Sequence, residues 1–411
     1  MSGQDVHKVA IVGGGQAGLQ AAFTLREFGF TGSITLFAGE PFLPYQRPPL
    51  SKTYIKEDSA PDKVYLRPER FFVERGIDCK LGARVASIDR KARTLALSTG
   101  ETAAWDRLVL ATGVINRRLP VPGADLDGVV MLRGLEDAHD LRPRIKAARQ
   151  IVIVGGGVIG LEVAAVARGL GIEVHVIELG ERLAGRISSV PLSAHLLAYH
   201  RGLGTTVHLG ASVTAIEGRE GKVAAVRVDN GQRIETGLVL VCIGVLADTG
   251  LAANAGLEVK DGILVDEHAV TSDPAILAAG DCTRFKPAHG VLDSIRLESV
   301  QNAIDQAKCA AETIVGRPRV YDALPWFWSD QGSLKLQIAG LAAGHDQTIL
   351  KVDEAKGGVA IYCFAMGALI GVECVNRPGD FMAARRVLGA RKRVTPSDVE
   401  KPDFELKAFM G

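Results

Sequence analysis

The sequence predicts an α/β protein in which two similar parallel-sheet halves are followed by a smaller α+β domain. Residues 9–18 read VAIVGGGQAG, and residues 151–160 repeat the pattern as IVIVGGGVIG, 142 positions later. Each copy is an apolar run, a glycine-rich turn, a helical stretch and a second apolar run, which is the pattern of a βαβ unit. From about residue 323 the chain changes to successive strand-like segments with one helix, which indicates a separate domain.

The length and charge of the chain exclude several classes of protein. Its 411 residues are enough for two or three domains. Lys and Arg total 48 and Asp and Glu 47, so the net charge of +1 gives no sign of a nucleic-acid or membrane partner. No run of 18 apolar residues is present and the first residues are polar. We therefore expect neither a membrane span nor a signal peptide, and a cytoplasmic protein.

The cysteines and histidines predict no metal or disulfide chemistry. The six cysteines are scattered without a Cys-x-x-Cys pair, and the nine histidines have no spacing suited to a metal site. We expect most of the cysteines to be inert buried thiols and no metal to be bound.

The two halves have corresponding elements. The patterns predict helices at about residues 16–28 and 158–170, strands at 33–37 and 173–177, and later strands within 108–113 and 238–244. Each turn has the spacing G-x-G-x-x-G, formed by Gly13, Gly15 and Gly18 and by Gly155, Gly157 and Gly160. Such glycines permit a tight turn and a close approach of backbone to a pyrophosphate at the helix N-terminus. Two Rossmann-like halves that bind two dinucleotides are therefore predicted.

An acidic residue at the end of the second strand distinguishes the two halves. Glu178 lies 23 residues after Gly155, where a carboxylate would accept hydrogen bonds from a ribose diol and repel a 2′-phosphate. This favours NADH over NADPH, although the nearby Arg182 leaves NADPH open. In the first half the equivalent position is Ala38, followed by Gly39 and Glu40.

The remaining segments have distinct patterns. Residues 41–52 form a proline-rich loop, in which a helix interior or a central strand is excluded. Asp281 lies at the tip of an apolar strand, and residues 297–315 have helical periodicity with Ser299 as the N-cap. Beyond residue 323, the segments LKLQIAG, QTILKV, GVAIYCFA and ALIGVECV are strand-like, and a helix is predicted near residues 381–388.

Five motifs carry a resemblance to a known family. They are YQRPPLSK at 45–52, LRGLEDA at 132–138, AAGDC at 278–282, ESVQNAIDQAK at 298–308 and PWFWSDQ at 325–331. With the two dinucleotide halves, they resemble the FAD-dependent pyridine-nucleotide oxidoreductases of the glutathione-reductase type. Within that superfamily the chain is similar to the ferredoxin reductases of bacterial oxygenase systems, the group of the putidaredoxin, biphenyl dioxygenase and toluene dioxygenase reductases.

The resemblance implies a domain division and a set of cofactor contacts. Residues 1–115 and 249–322 would bind FAD, residues 116–248 would bind NADH, and residues 323–411 would form the C-terminal domain. The implied cofactor-binding residues are Gly13, Gly15, Ala17, Gly18, Gly39, Glu40, Arg47, Lys52, Val85, Ala111, Thr112, Gly113, Arg133, Gly155, Gly157, Ile159, Gly160, Glu162, Glu178, Gly244, Asp281, Ser299, Val300 and Trp328. Gly39 stands where relatives have Asp, so Glu40 is the candidate for that ribose contact.

The resemblance also implies a reaction. NADH would reduce FAD by hydride transfer, and the flavin would pass single electrons to a 2Fe-2S ferredoxin that serves an oxygenase or a haem monooxygenase. Catalytic roles are implied for Lys52, Glu162 and Trp328: Glu162 would pair with Lys52 beside the nicotinamide, and Trp328 would lie beside the flavin. From the residues alone, Glu162 could equally be a solvated helix acid and the tryptophans a plain core.

Other possibilities stay open. The helix that begins at Ser299 and Val300 would direct its positive end to reduced flavin, or is a plain amphipathic core helix. Arg67 and Lys308, with Trp328, would receive the ferredoxin. The basic cluster Arg385, Arg386, Arg391, Lys392 and Arg393 is a second docking candidate or a solvated helix face. The alternative functions are a redox-dependent binding flavoprotein of the apoptosis-inducing-factor type and a rubredoxin reductase.

Overall fold

The computed structural model describes residues 6–353 and 357–410. Residues 1–5 and 411, at the ends of the predicted first and third domains, lie outside the described residues. The chain groups into two compact units. Unit 1 comprises residues 1–46, 60–115 and 246–325, and unit 2 comprises residues 47–59, 116–245 and 326–411.

Unit 1 is built on a five-stranded parallel sheet. Its order is Ile276–Ala278, Arg107–Leu110, Lys8–Val12, Ser33–Ala38 and Ile77–Leu81. The central strand KVAIV is buried after its first residue, as expected for a parallel strand covered on both faces. Helices Gln16–Glu27 and Val300–Ile314 pack against each other.

Smaller elements complete unit 1. A three-stranded antiparallel sheet consists of Val85–Asp89, Thr94–Leu97 and Thr102–Ala104. Short elements are the strands Ile263–Leu264 and Thr283–Arg284, the helices Glu69–Glu74 and Gly250–Asn254, and the 3₁₀ turn Pro61–Val64. The division between the units falls within the strands Val114–Asn116 and Val245–Ala247.

Unit 2 contains a second five-stranded parallel sheet. Its order is Thr206–Leu209, Glu173–Glu178, Gln150–Val154, Val239–Val241 and Val129–Met131. Its helices are Leu135–Ala147, Val158–Gly169 and Val190–Gly202, and a three-stranded antiparallel sheet consists of Val213–Arg219, Lys222–Val228 and Arg233–Glu235.

The C-terminal part of unit 2 is an antiparallel sheet with one long helix. The strand order is Trp326–Gln331, Leu334–Gly340, Ala368–Val375, Gly358–Ala365 and Gln347–Asp353. Helix Pro378–Gly389 packs on it, followed by helix Pro396–Val399 and the 3₁₀ turn Leu406–Phe409. The predicted fold class, two Rossmann-like halves and an α+β C-terminal part, is confirmed.

Two details differ from the sequence expectations. The proline loop, residues 41–52, ends in a 3₁₀ turn at Pro48–Ser51, which proline tolerates because it occupies the first positions of the turn. Residues 47–59 group with unit 2 because this turn and helix Thr53–Lys56 pack against helices of that unit. The division into three domains remains a prediction. Within residues 6–353 and 357–410, no helix is long and apolar enough to cross a membrane.

Candidate functional site

In the first glycine loop, residues 13–18, the Cβ positions of Gly13 and Gly18 are blocked and that of Gly15 is open. Gly13 has φ +121°, and a Cβ there would lie 2.1 Å from the carbonyl oxygen of Ala111. A Cβ on Gly18 would lie 1.9 Å from the oxygen of Gly13. At Gly15, the N-cap of helix Gln16–Glu27, no described atom beyond its two chain neighbours lies within 4 Å of the Cβ position. The loop thus forms a cradle beside helix N–H groups, the arrangement that receives a pyrophosphate.

The second glycine loop, residues 155–160, repeats this geometry. Gly155 has φ +105°, and its Cβ would lie 2.4 Å from the oxygen of Cys242. A Cβ on Gly160 would lie 2.5 Å from the oxygen of Gly155, whereas the Cβ position of Gly157 is open among the residues described. Ile159, on the first turn of the helix, is 39% exposed.

Each strand that comes after a glycine loop has an acidic residue at or just beyond its end. Glu178 accepts hydrogen bonds from the backbone N–H of Gly156 at 2.6 Å and of Gly180 at 2.7 Å. In the first half, Ala38 is buried against Gly14, and Glu40 accepts a hydrogen bond from Tyr45. Glu178 is therefore oriented at the glycine loop, while Glu40 is oriented by a tyrosine of the proline loop.

Unit 1 contains further predicted contact residues near the sheet edge. The Thr112 hydroxyl donates to the oxygen of Asp248 at 2.6 Å, next to Gly113. Burial raises the pKa of Asp248. Ser299 caps helix Val300–Ile314 by accepting from the N–H of Asn302 at 3.1 Å, which confirms the predicted cap. Asp281 comes three residues after strand Ile276–Ala278, Ala111 follows strand Arg107–Leu110, Ala17 lies in the first helix, and Val85 begins its own strand.

In unit 2, the end of the proline loop holds a buried ion pair. Lys52 Nζ lies 2.8 Å from Glu162 Oε2, and the Glu162 side chain is only 4% exposed. The Ser51 hydroxyl donates to the same Glu162 oxygen, and the Ser329 hydroxyl donates to Oε1 at 2.6 Å. The alternative of a solvated helix acid is therefore wrong. Three donors on one carboxylate satisfy a buried charge that would otherwise be costly.

Two further contacts at the end of the proline loop lie within unit 2. Arg47 Nη1 donates to the backbone oxygen of Arg133 at 2.7 Å, and Lys52 Nζ donates to the oxygen of Pro48 at 3.0 Å. Gly244 has φ +96°, and its oxygen accepts from the N–H of Arg117 at 3.0 Å. The contacts of Arg47 and Lys52 fix the end of the proline loop around Lys52.

Trp328 lies in an aromatic and cationic row. Its ring centroid is 5.5 Å from that of Trp326, and the Arg385 guanidinium lies 4.5 Å from the Trp326 centroid. Both tryptophans are half-buried, so they are not a fully enclosed core pair. The view of the basic cluster as a solvated face holds for its exposed members, Arg386, Arg391, Lys392 and Arg393, but not for Arg385, which is half-buried on Trp326.

The two predicted docking cations lie in unit 1. Arg67 is exposed, with its guanidinium 5.5 Å from the Phe71 ring centroid. Lys308 is 42% exposed and lies 3.5 Å from a carboxylate oxygen of Asp305.

Four of the six cysteines are buried, as the sequence predicts, whereas Cys79 and Cys242 are half-buried. All six cysteines fall within the described ranges and none is in a disulfide. Burial raises the pKa of Cys79 to about 11 and that of Cys309 to about 12. Burial, with the charge of Glu162, raises the pKa of Cys242 to about 12. Among the described residues no group of three or more His, Cys, Asp or Glu could hold a metal ion.

The sequence patterns do not predict two residues that contact the ion pair. Ser51 is the neighbour of Lys52, and Ser329 is the neighbour of Trp328, yet neither was predicted as a site residue. The available signal was a polar side chain next to each singled-out residue within an otherwise apolar or proline-rich segment.

Two open glycine cradles after parallel strands and a buried lysine–glutamate pair define a dinucleotide-dependent oxidoreductase. The chain belongs to the pyridine nucleotide-disulphide oxidoreductase family, whose model matches residues 7–307, and residues 326–410 match the reductase C-terminal family. The family's name implies a nicotinamide cofactor and a flavin. The chain is an oxidoreductase.

Named relatives cover nearly the whole chain. Rhodocoxin reductase of Rhodococcus erythropolis is 43% identical over 399 residues, which are 97% of this chain and 93% of that protein. Putidaredoxin reductase of Pseudomonas putida is 36% identical over 410 residues, 98% of this chain and 96% of that one.

Solved structures agree with these relatives. The ferredoxin reductase for the CYP199A2 system of Rhodopseudomonas palustris superposes with a TM-score of 0.95 at 42% identity, covering 98% of this chain and 100% of that one. The reductase in the covalent putidaredoxin reductase–putidaredoxin complex gives 0.93 at 36% identity, with 98% of each chain covered.

Proposed function

We propose that the chain is an NADH:ferredoxin reductase with one noncovalent FAD, which passes electrons to a 2Fe-2S ferredoxin of an oxygenase or haem monooxygenase system. The observation that carries the proposal is the buried Lys52–Glu162 pair at the end of a cysteine-free proline loop. It supplies a charged, largely buried contact for a nicotinamide and a flavin without a thiol. The ferredoxin and putidaredoxin reductases among the relatives support the choice of partner.

The residues of the chain would bind, orient and exclude water. FAD, when bound, converts the two-electron donor NADH into a source of single electrons. The first glycine loop fits its pyrophosphate, since the open space at Gly15 faces helix N–H groups. The second loop and Glu178 fit NADH, because the fixed carboxylate keeps lone pairs for a ribose diol and repels a 2′-phosphate.

The other assignments extend this proposal. Lys52 and Glu162 hold the reacting edges, Trp328 lies on the side of the ferredoxin, and the N-terminus of helix Val300–Ile314 stabilises negative charge on the flavin. Arg67 and Lys308 receive the ferredoxin. FAD contacts lie in residues 1–115 and 249–322, NADH contacts in residues 116–248, and the site of action is the cytoplasm.

The test begins with the purified protein. We expect about one FAD per chain, released into the supernatant by acid, and rapid bleaching of the flavin by NADH. A 2Fe-2S ferredoxin should then be reduced in turn, measured by cytochrome c reduction. Flavin that stays in the pellet, or no bleaching by NADH, would overturn the proposal.

A panel of acceptors separates the alternatives. Rubredoxin-NAD(+) reductase of Pseudomonas putida is 37% identical over 372 residues, so rubredoxin is compared with ferredoxin at equal concentration. Faster reduction of rubredoxin would favour that partner. Slow turnover with both carriers, together with a long-lived absorbance band from the NAD⁺ complex of the reduced protein, would favour a redox-dependent binding flavoprotein.

A further inference from the structure

The Lys52–Glu162 pair is the end of a longer chain of buried hydrogen bonds within unit 2. Ser329 Oγ donates to Glu162 Oε1 at 2.6 Å, and Gln331 Nε2 donates to Ser329 Oγ at 3.2 Å. Gln331 Oε1 in turn lies 2.8 Å from His200 Nε2. Ser329, Gln331 and His200 are fully buried. This series of hydrogen bonds therefore connects helices Val158–Gly169 and Val190–Gly202 through strand Trp326–Gln331.

Every donor in this series of hydrogen bonds points towards Glu162. Gln331 Oε1 can only accept, so His200 carries its proton on Nε2. His200 Nδ1 has no hydrogen-bond partner among the described residues, as the neutral form of that tautomer permits. Burial lowers the pKa of His200, which also favours the neutral ring. Each group donates towards Glu162, so the last hydroxyl presents a hydrogen to the carboxylate.

The geometry of one strand separates Trp328 from the residues that hydrogen-bond towards Glu162. Along strand Trp326–Gln331, side chains alternate between faces, so Ser329 and Gln331 share one face and Trp328 lies on the other. The Tyr199 hydroxyl, next to His200, donates to the backbone oxygen of Gln331 at 2.7 Å. Helix Val190–Gly202 thus holds the strand by both its backbone and its side chains.

We propose that Ser329, supported by Gln331 and His200, is a positioning residue that fixes the Glu162 carboxylate, and through it Lys52, relative to the strand of Trp328. This rests on the proposed function. Glu162 receives Lys52 and Ser51 on one oxygen and Ser329 on the other. Without the Ser329 hydroxyl, Oε1 loses this donor in a buried site and the carboxylate can rotate, which moves the Lys52 ammonium away from the reacting edge.

The kinetic test compares Ser329→Ala with a control in the same hairpin. We expect Ser329→Ala to slow flavin reduction by saturating NADH by about ten-fold or more, the effect of losing one hydrogen bond to a charged group. The NADH dissociation constant should change by less, because the second glycine loop and Glu178 remain. Ser329→Thr keeps the hydroxyl and should restore most of the rate. Ser333→Ala removes an exposed hydroxyl that lies 3.2 Å from the Tyr199 hydroxyl. It leaves the hydrogen bond from Tyr199 to the Gln331 oxygen in place and should match the unaltered protein.

A second measurement does not depend on flavin or NADH. The imidazole ¹⁵N shifts of His200 in histidine-labelled protein should show the neutral Nε2–H tautomer, and Gln331→Met should abolish this preference. An Nδ1–H or charged His200, or a Ser329→Ala rate equal to that of Ser333→Ala, would overturn the proposal. Failure of NADH to reduce the unaltered protein would instead overturn the proposed function and leave the tautomer result standing.

Discussion

Glu178 shows how a single side chain is oriented before a nucleotide binds. Its two oxygens accept from the N–H groups of Gly156 and Gly180, yet a carboxylate can accept about four hydrogen bonds, so positions for a ribose diol remain. We expect Glu178→Ala to raise the Michaelis constant for NADH by about ten-fold or more, since a hydrogen bond to a charged group contributes about 1.5–3 kcal/mol.

The control for this prediction is Glu178→Gln. Its amide oxygen still accepts from one backbone N–H but no longer repels a 2′-phosphate, so NADPH use should improve relative to NADH. Steady-state kinetics with both nucleotides at matched flavin content measure the change. Equal use of NADH and NADPH by the unaltered protein would contradict the assigned role.

Glu373 is a buried acid outside the cofactor residues, and it gives a pH prediction. It accepts hydrogen bonds from the N–H of Ser189, at 2.8 Å, and from the Ser189 hydroxyl. Burial raises its pKa despite these donors. When the folded-state pKa lies above the unfolded value, the native state binds the proton more tightly than the unfolded state does. The contribution of Glu373 to the free energy of unfolding is therefore present at low pH and is lost as pH rises through the folded pKa.

The measurement is denaturant unfolding of the unaltered protein and of Glu373→Gln from pH 5 to 8. The unaltered protein should lose stability relative to the variant as pH rises, because the neutral amide has no proton to lose. A stability difference that is constant over this range would show that Glu373 does not titrate with folding.

We expect the thiols to take no part in flavin reduction by NADH. With its pKa raised to about 12, Cys242 holds almost no thiolate at neutral pH, and the thiolate is the reactive form. Single replacements of Cys79, Cys242 and Cys282 by Ser or Ala should therefore leave flavin reduction by NADH within about two-fold. If a folded variant of this kind lost the reaction, disulfide or peroxide chemistry would replace the ferredoxin proposal.

At the scale of elements, matched alanine substitutions can distinguish the roles of the two glycine loops. Gly15 and Gly157 occupy the same position in their loops, and both Cβ positions are open. Gly15→Ala should fold but lose FAD, because the methyl group fills the pyrophosphate cradle. Gly157→Ala should keep FAD and bind NADH more weakly, by about ten-fold or more for a lost close contact. Flavin absorbance and NADH titration distinguish the two results.

Neighbouring glycines provide the structural comparison. Gly13→Ala and Gly155→Ala place a Cβ 2.1 and 2.4 Å from backbone oxygens at positive φ, so they should unfold the loop instead of only emptying it. Circular dichroism and thermal melting follow this difference. Equal stability of Gly13→Ala and Gly15→Ala would contradict the assignment of an open cradle.

Elements with strong local signals could be predicted closely from the sequence. The helix expected at residues 16–28 is found at Gln16–Glu27, and the Ser299 cap is at the expected residue, because glycine spacing and apolar period act within a few residues. The sequence does not predict strand Trp326–Gln331, because its aromatic and polar residues lack a clear apolar alternation.

Contacts between distant segments could not be predicted in this way. Ser51 and Ser329 reach Glu162 across 111 and 167 positions of the chain. Such contacts depend on packing of whole elements and leave no periodic trace in the sequence. The pairing of Lys52 with Glu162 was expected only because of the family resemblance.

At the scale of the whole molecule, a net charge of +1 means that an acidic partner must be attracted by local charge. Arg67 is the stronger of the two docking candidates, because it is exposed on the Phe71 ring, whereas Lys308 lies beside Asp305. Attraction by such exposed charges is screened by salt, with a Debye length of about 10 Å at 0.1 M and about 3 Å at 1 M.

Ferredoxin reduction should therefore fall with ionic strength, while NADH-driven reduction of a small neutral acceptor changes little. Arg67→Glu should slow ferredoxin reduction and leave flavin reduction by NADH intact. Lys91→Glu is the matched control, because Lys91 is also exposed in unit 1 and its reversal makes the same change of net charge, from +1 to −1. Equal slowing by both variants would mean that total charge, and not the face carrying Arg67, attracts the partner. Equal loss in the NADH and ferredoxin assays would instead mean that Arg67 supports the fold.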